Sequence, residues 1–485
     1  MGLRDTISSL VEAERFADAQ AALAQISDFS SADFALLAQI CKAQENFQCT
    51  ADALIQQSIL AGFDAADLPE DIHEQIWGAL SRAPTGPQVF THRYHLAWWQ
   101  LQQSVRESGS LTAQIRAWQD WKDNNPSHPA ALRPPLSLTQ LDNYRAPNIA
   151  VLLPLSGRLG GAGRAVQDGI VAGYLDDEAE TKIKFYDTEL TPLGQLLEQA
   201  LTEGADVVVG PLRKDRAQSF SELAAMAEVP NLVLNYLDND APTDTDSAQY
   251  QFGIAIEDEA ISLAQHVLLA GYSKVALVHG QDPWAIRARD AYLDTWHYPV
   301  TPASFDEVKN LTAAVGAAMQ ISQSEERRQE IANIIGAPVE FLPRARQDLE
   351  AIVAFTNNVE SRALIPALRF HFGDHLPVYT TSQATRRGDA EALAGFYLSD
   401  MPLFVEQQKF QSLHDTFALT SNPLVELYAL GFDAYRVATW LPVLTPRSQI
   451  TTNGASGYIW LDQGGVFRRE LGLGVIADNG DIEAR

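Results

Sequence analysis

Residues 149–169 read IAVLLPLSGRLGGAGRAVQDG. An apolar run stops at Pro154, a glycine-rich turn follows, and a helical pattern begins. Three chemistries use such a strand, turn and helix, and each demands a residue that is missing. A P-loop needs G-x-x-x-x-G-K-[ST], but Gly163 is followed by Arg164 and Ala165. A nucleophile elbow needs G-x-S-x-G, but Ser156 stands in L-P-L-S-G. A dinucleotide fingerprint is incomplete, because Val166 stands where the third glycine belongs. What remains is a buried strand whose carboxyl end opens onto a helix N-terminus, the element that lines the cleft in two-lobed α/β proteins.

Outward from that stretch the pattern repeats. Candidate strands fall at 182–187, 206–210, 231–235, 251–256, 274–279, 351–356, 377–381 and 395–399. Helical segments separate most of them, at 192–203, 215–228 and 257–270 among others. Such alternation predicts parallel sheets covered by helices. Some 340 residues exceed what one sheet holds, so two lobes are expected. Residues 458–472, YIWLDQGGVFRRELG, read as a closing hairpin with the turn DQGG. Strand ends would place Ser156, Gly161, Gly163, Leu212, Arg213, Asn235 and Tyr236 on one side of a cleft. Asp282, Trp284, Thr381 and Ser382 would stand on the other.

The first 125 residues differ. They are rich in Ala, Gln and Leu at helical spacing, and Leu10, Phe16, Ala19 and Leu23 form one apolar stripe. Phe16, Ala19 and Leu23 recur 31 positions on as Phe47, Thr50 and Leu54, a period near that of tetratricopeptide helix pairs. SRAPTGP (81–87) breaks the helices, and Trp98, Trp99, Trp118 and Trp121 read as interhelical core. Residues 124–138 carry Pro126, Pro129, Pro134 and Pro135 and read as a linker. The expected division is a helical domain at 1–125, a proline-rich linker at 126–146 and a two-lobed α/β domain at 147–485.

The net charge of −27 disfavours nucleic acid and anionic membrane surfaces as partners. The chain contains no run of about 18 apolar residues, so no membrane-spanning helix is expected. MGLRDT fits the short myristoylation pattern at Gly2, which is also a common way for a chain to begin. Cys41 and Cys49 would lie about 12 Å apart on one helix, beyond disulfide reach. Two buried thiols are therefore expected, although a turn between them could bring them together. No catalytic set emerges, and no cofactor or metal is implied. His371 and His375 have i, i+4 spacing, but Phe372 stands where HExxH needs Glu, and Gly373 weakens the helix. His92 and His95 are expected to face solvent rather than hold a metal. The acidic run 176–180 reads as a solvated loop, and 256–260 as a helix start.

Taken together, LLPLSGRLGGAGRAVQDG (152–169), KFYDTE (184–189), VVVGPLRKD (207–215), LSDMPLF (398–404) and LYALGFDAYRVA (427–438) resemble the C-terminal domain of the LpoA family. Residues 452–471 are similar to that family's closing hairpin, and 118–132 to the end of its helical domain. The resemblance is strong over 147–472 and looser before. It implies a type 1 periplasmic-binding-protein fold behind a tetratricopeptide-like solenoid. It further implies a non-enzymatic lipoprotein at the periplasmic face of the outer membrane. Such a protein binds a class A penicillin-binding protein and stimulates its transpeptidase, with peptidoglycan a second candidate partner. No signal peptide or lipobox cysteine is visible, so the chain reads as a mature or trimmed form whose anchor is implied by the family alone. Cys41 lies too far inside the helical domain to be that anchor. The alternative reading is a solute-binding protein for an amino acid or peptide, in which convergent polar groups would line the cleft.

Overall fold

The computed structural model describes residues 2–63, 68–83, 92–141, 147–177, 181–237, 248–335, 346, 348–386, 388–417, 423–444, 451–462 and 464–485. Two compact units divide the chain. The first holds Met1–Gly253, Leu430–Gly454 and Tyr458–Arg468; the second holds Ile254–Ala429, Ala455–Gly457 and Arg469–Arg485.

The N-terminal part of the first unit is helical. The 31-residue repeat is real in three dimensions. Helices Phe16–Leu23 and Phe47–Ala61 each follow a tight turn in which a glutamate, Glu14 or Glu45, takes a positive φ near 55°. The next N–H bonds back to Leu10 in one turn and to Cys41 in the other, again 31 residues apart. Ala19, Leu23, Thr50 and Leu54 are all buried, so equivalent positions face the core. The second turn corrects the expectation of free thiols. It ends one helix at Ala43 and starts another at Phe47, bringing the Cα atoms of Cys41 and Cys49 to 5.7 Å, and the two form a disulfide.

The tryptophans pack as interhelical core. Trp118 and Trp121 stack, and Trp98 and Trp121 set their rings edge-on to His128. His128 caps the short helix Pro129–Leu132 by accepting from the Ala130 N–H, and its other nitrogen meets the Tyr94 carbonyl. Residues 126–141, read as part of a linker, hold this helix and a second at Leu136–Leu141. Residues 142–146 lie outside the described residues.

The first sheet contains β1 (Asn148–Leu153), β2 (Lys182–Asp187), β3 (Val207–Val209), β4 (Asn231–Val233) and β5 (Gln249–Phe252). The second contains β6 (Val275–His279), β7 (Val300–Ser304), β8 (Ala351–Phe355), β9 (Val378–Thr381) and β10 (Tyr397–Asp400). Late strands complete them: β11 (Thr451–Asn453), β12 (Tyr458–Leu461) and β13 (Val466–Glu470) join the first, and β14 (Gly472–Ile476) and β15 (Ile482–Ala484) the second. The orders are β11-β12-β13-β5-β4-β3-β1-β2 and β15-β14-β10-β9-β8-β6-β7. β1 to β5 pair in parallel, as do β6 to β10, while β11 with β12, β10 with β14 and β14 with β15 pair antiparallel. The all-apolar runs IAVLL, VVV and AIVAF occupy central positions because both faces are covered. β7 escapes a sequence reading because Pro302 interrupts it, which an edge strand tolerates.

The hairpin β11–β12 is tied to the helical part of the same unit. Gln114 donates to the Thr451 carbonyl at 2.9 Å, Tyr458 donates to the Ser81 carbonyl, and Asn453 donates to the Arg106 carbonyl. The Arg106 guanidinium lies 3.7 Å from the Tyr458 ring centroid, and Arg82 sits between Phe47 and Trp460. Of the expected DQGG turn, Gln463 lies outside the described residues.

Two expected outcomes follow from this packing. The disulfide closes a short loop, worth about 2–3 kcal/mol by chain entropy. Replacing both Cys41 and Cys49 by Ser should lower the urea-unfolding free energy by that order, and a reductant should destabilise the native chain but not the variant. Burial holds the His128 imidazole at about 4, against an ordinary 6.5, with its hydrogen bond to the Tyr94 carbonyl opposing the shift in part. The unfolded chain therefore takes up a proton below pH 6.5 that the folded chain refuses until about pH 4, and stability falls as pH drops through that window. The loss is on the order of 3 kcal/mol. A pH series of unfolding curves should show a shallower loss for His128→Gln.

Candidate functional site

The opening stretch explains its own glycines. A Cβ on Gly163 would stand 2.1 Å from the Pro154 carbonyl oxygen, so the helix Gly160–Asp176 packs backbone against the loop that leaves β1. The same helix meets Gly431, where a Cβ would stand 2.1 Å from the Val166 carbonyl oxygen. Gly161 is exposed at the helix start, whereas Gly163 is buried.

In the first unit the strand-end side chains are engaged with one another. Asp187, the last residue of β2, accepts from the N–H of Leu155 at 3.1 Å and of Glu189 at 3.0 Å. The hydroxyl of Ser156 also bonds to it. Burial opposes the charge of Asp187, but these bonds together hold its carboxyl below the ordinary range. Arg213 makes a fork to Asp215 at 3.0 and 2.6 Å and stands 3.6 Å from Glu189. Leu212 is half-buried, and its carbonyl accepts from Asn235. Tyr236 donates to the Phe467 carbonyl at 3.1 Å.

In the second unit Asp282 is exposed and caps helix Pro283–Thr295 without a side-chain bond, while Trp284 packs against the core. Thr381 and Ser382 are wholly buried. Ser382 donates both its N–H (2.8 Å) and its hydroxyl (2.9 Å) to Glu259. Beside this clasp, Arg386 makes a fork to Asp400 and a further bond to Glu426, and lies over the Phe404 ring. Arg386 serves two carboxylates already, so burial and the charge of Asp400 push Glu259 up to about 8. Sequence reading missed Glu259 and Arg386, because an acid in a helix's first turn and an arginine in a loop both read as surface groups.

Other candidates resolve as structural. Helix Asn358–Phe370 ends before His371, whose ring meets the Thr312 carbonyl, so His371 and His375 do not share a helical face. His95 pairs with Asp52 at 2.7 Å, and Trp99 donates to the same carboxylate. Among the described residues no group of His, Cys, Asp or Glu is placed to hold a metal, and no helix is long and apolar enough to cross a membrane.

A helical N-terminal part followed by two α/β sheets can now be set beside known proteins. A family model described as "LppC putative lipoprotein" matches residues 6–473. The chain belongs to the LppC family. Two relatives bear the name penicillin-binding protein activator LpoA. The one from Photobacterium profundum is 26% identical over 384 residues, covering 74% of this chain and 61% of its own. The one from Aliivibrio fischeri is 28% identical over 373 residues, covering 73% and 61%. The chain thus spans about three-fifths of the length of these curated relatives. Full-length LpoA from Haemophilus influenzae superposes with a TM-score of 0.57 at 19% identity, over 98% of this chain and 86% of its own. The C-domain of that protein, described as a regulator of PBP1A, gives 0.55 at 20% identity, over 70% and 99%. A "putative branched-chain amino acid ABC transporter" from Chromobacterium violaceum gives 0.52 at 27% identity, over 68% and 99%. The LppC member thus has a periplasmic-binding-protein-like α/β part behind helices, as expected from sequence.

The buried clasp yields a testable sign. Glu259 keeps its proton in the folded chain to about pH 8 but loses it near 4.5 when unfolded, so its contribution is complete below pH 4.5 and lost as pH rises toward 8. Glu259→Gln removes the charge, keeps an oxygen to accept from the Ser382 N–H and lets its NH2 donate to the Ser382 hydroxyl. Thermal unfolding at pH 8 should show the variant gaining stability relative to the native chain, with the gap closing at pH 5.

Proposed function

We propose that this protein is a non-enzymatic regulator of peptidoglycan synthesis that binds a class A penicillin-binding protein and stimulates its transpeptidase activity. The observation that carries this reading is the family match, which runs through both the helical part and the two sheets. Relatives named as penicillin-binding protein activators support it. In this reading residues 147–485 dock on the synthase, residues 1–125 position them, and 126–146 join the two. Activation requires that docking favour an active state of the partner over an inactive one.

The same reading places the protein at the periplasmic face of the outer membrane, held by an N-terminal lipid, with peptidoglycan as a second contact. The Cys41–Cys49 disulfide supports an oxidising compartment, and it leaves neither cysteine available as a lipid attachment point. A second reading, a carrier for an amino acid or small peptide, is favoured by the likeness to the Chromobacterium violaceum protein. Against it, Ser156, Arg213 and Ser382 already direct their polar groups at Asp187, Asp215 and Glu259.

The deciding experiment titrates the full chain into a class A penicillin-binding protein of the same organism and follows peptide cross-linking in the product made from lipid II. Cross-linking should rise and saturate as the chain is added. A folded chain that leaves cross-linking unchanged overturns the activator reading.

A further inference from the structure

We propose that the depression at the carboxyl end of β2, formed wholly within the first unit, binds the free carboxylate end of a short aliphatic peptide. It has a volume of about 490 Å³, within the size range of small-ligand sites. Its lining combines one guanidinium (Arg216), one carboxylate (Glu189), two hydroxyls (Thr188 and Thr191) and an aliphatic wall (Leu190 and Leu193).

The two arginines near Glu189 are held differently. Arg213 is neutralised by its fork to Asp215. Arg216 donates to the Thr188 carbonyl at 3.0 Å and is ion-paired with Glu189 at the longer distance of 3.7 Å. A guanidinium held by a carbonyl and paired with its carboxylate only at this longer distance offers its charge to a carboxylate arriving from the depression. Glu189 supplies the opposite charge at the same site, which suits the ammonium end of a zwitterion.

The wall is equally specific. Leu190 is 77% exposed on a loop whose backbone is fixed, so its side chain offers apolar surface that a ligand would cover. The loop is fixed by Asp187, which accepts from Glu189 and Leu155, and by the Thr188 N–H bonded to the Leu153 carbonyl at 2.9 Å. The site is therefore formed before any ligand arrives. It stands independently of the activator reading.

Isothermal titration of the full chain with the dipeptide alanyl-leucine and with its C-terminal amide tests the assignment. The free acid should bind saturably, and the amide about tenfold more weakly or worse. Arg216→Gln should lower affinity for the acid by about tenfold and leave the amide unaffected. Leu190→Glu, at a position too exposed to disturb folding, should weaken the acid as strongly by adding a like charge. The proposal is overturned if no saturable binding occurs up to about 10 mM. Equal affinity for acid and amide overturns it too, as does binding unchanged in both folded variants. None of these results would alter the cross-linking assay, so the two readings fail separately.

Discussion

The carbonyl oxygen of Pro154 fills the space that any side chain at residue 163 would need. That single constraint sets helix Gly160–Asp176 directly on the exit of β1, and the rest of the first sheet is arranged around the strand and helix so joined. The contact repeats between Val166 and Gly431, where the late helix Val425–Trp440 returns to the first unit. Backbone against backbone leaves no room for adjustment by rotamer change. A glycine-rich turn that looks built for a phosphate is here a packing device, and the polar groups around it serve the protein's own loops.

The same economy governs the charged groups inside. Asp187, Glu259 and Asp400 are carboxylates at or beside strand ends, where a carrier protein would present donors to a ligand. Each is instead an internal acceptor: Asp187 for the loop after β1, Glu259 for Ser382, and Asp400 for Arg386. Burying a polar group is unfavourable unless partners replace water, and these sites supply them through N–H groups, hydroxyls and one shared arginine, while Glu259 is spared a charge by holding its proton. The result is a pair of stiff strand-end scaffolds.

Much of this was legible and some was not. Central strands were readable because both-face burial forces continuous apolar runs, as in IAVLL and AIVAF. The helical repeat was readable from Phe16 and Phe47, because each begins a helix after the same turn. The edge strand β7 was hidden by Pro302, and β14 and β15 by their short, half-exposed pattern. The strand-end candidates were located by chain position alone. Position says that Ser382 follows β9, but not that a glutamate 123 residues earlier claims both its donors.

Sequence by itself determined the order of the central strands and the helices between them, the two-lobed architecture, and the family to which the chain belongs, because these rest on local periodicity and on motif order along the chain. Only the tertiary structure decided which polar groups are already paired. It also decided that Cys41 and Cys49 meet, since a positive φ at Glu45 turns the chain back, and that Arg213 forks to Asp215 while Arg216 donates to the Thr188 carbonyl. Pairing is a matter of distance in space, and residues that meet across a fold leave no periodic mark in the sequence.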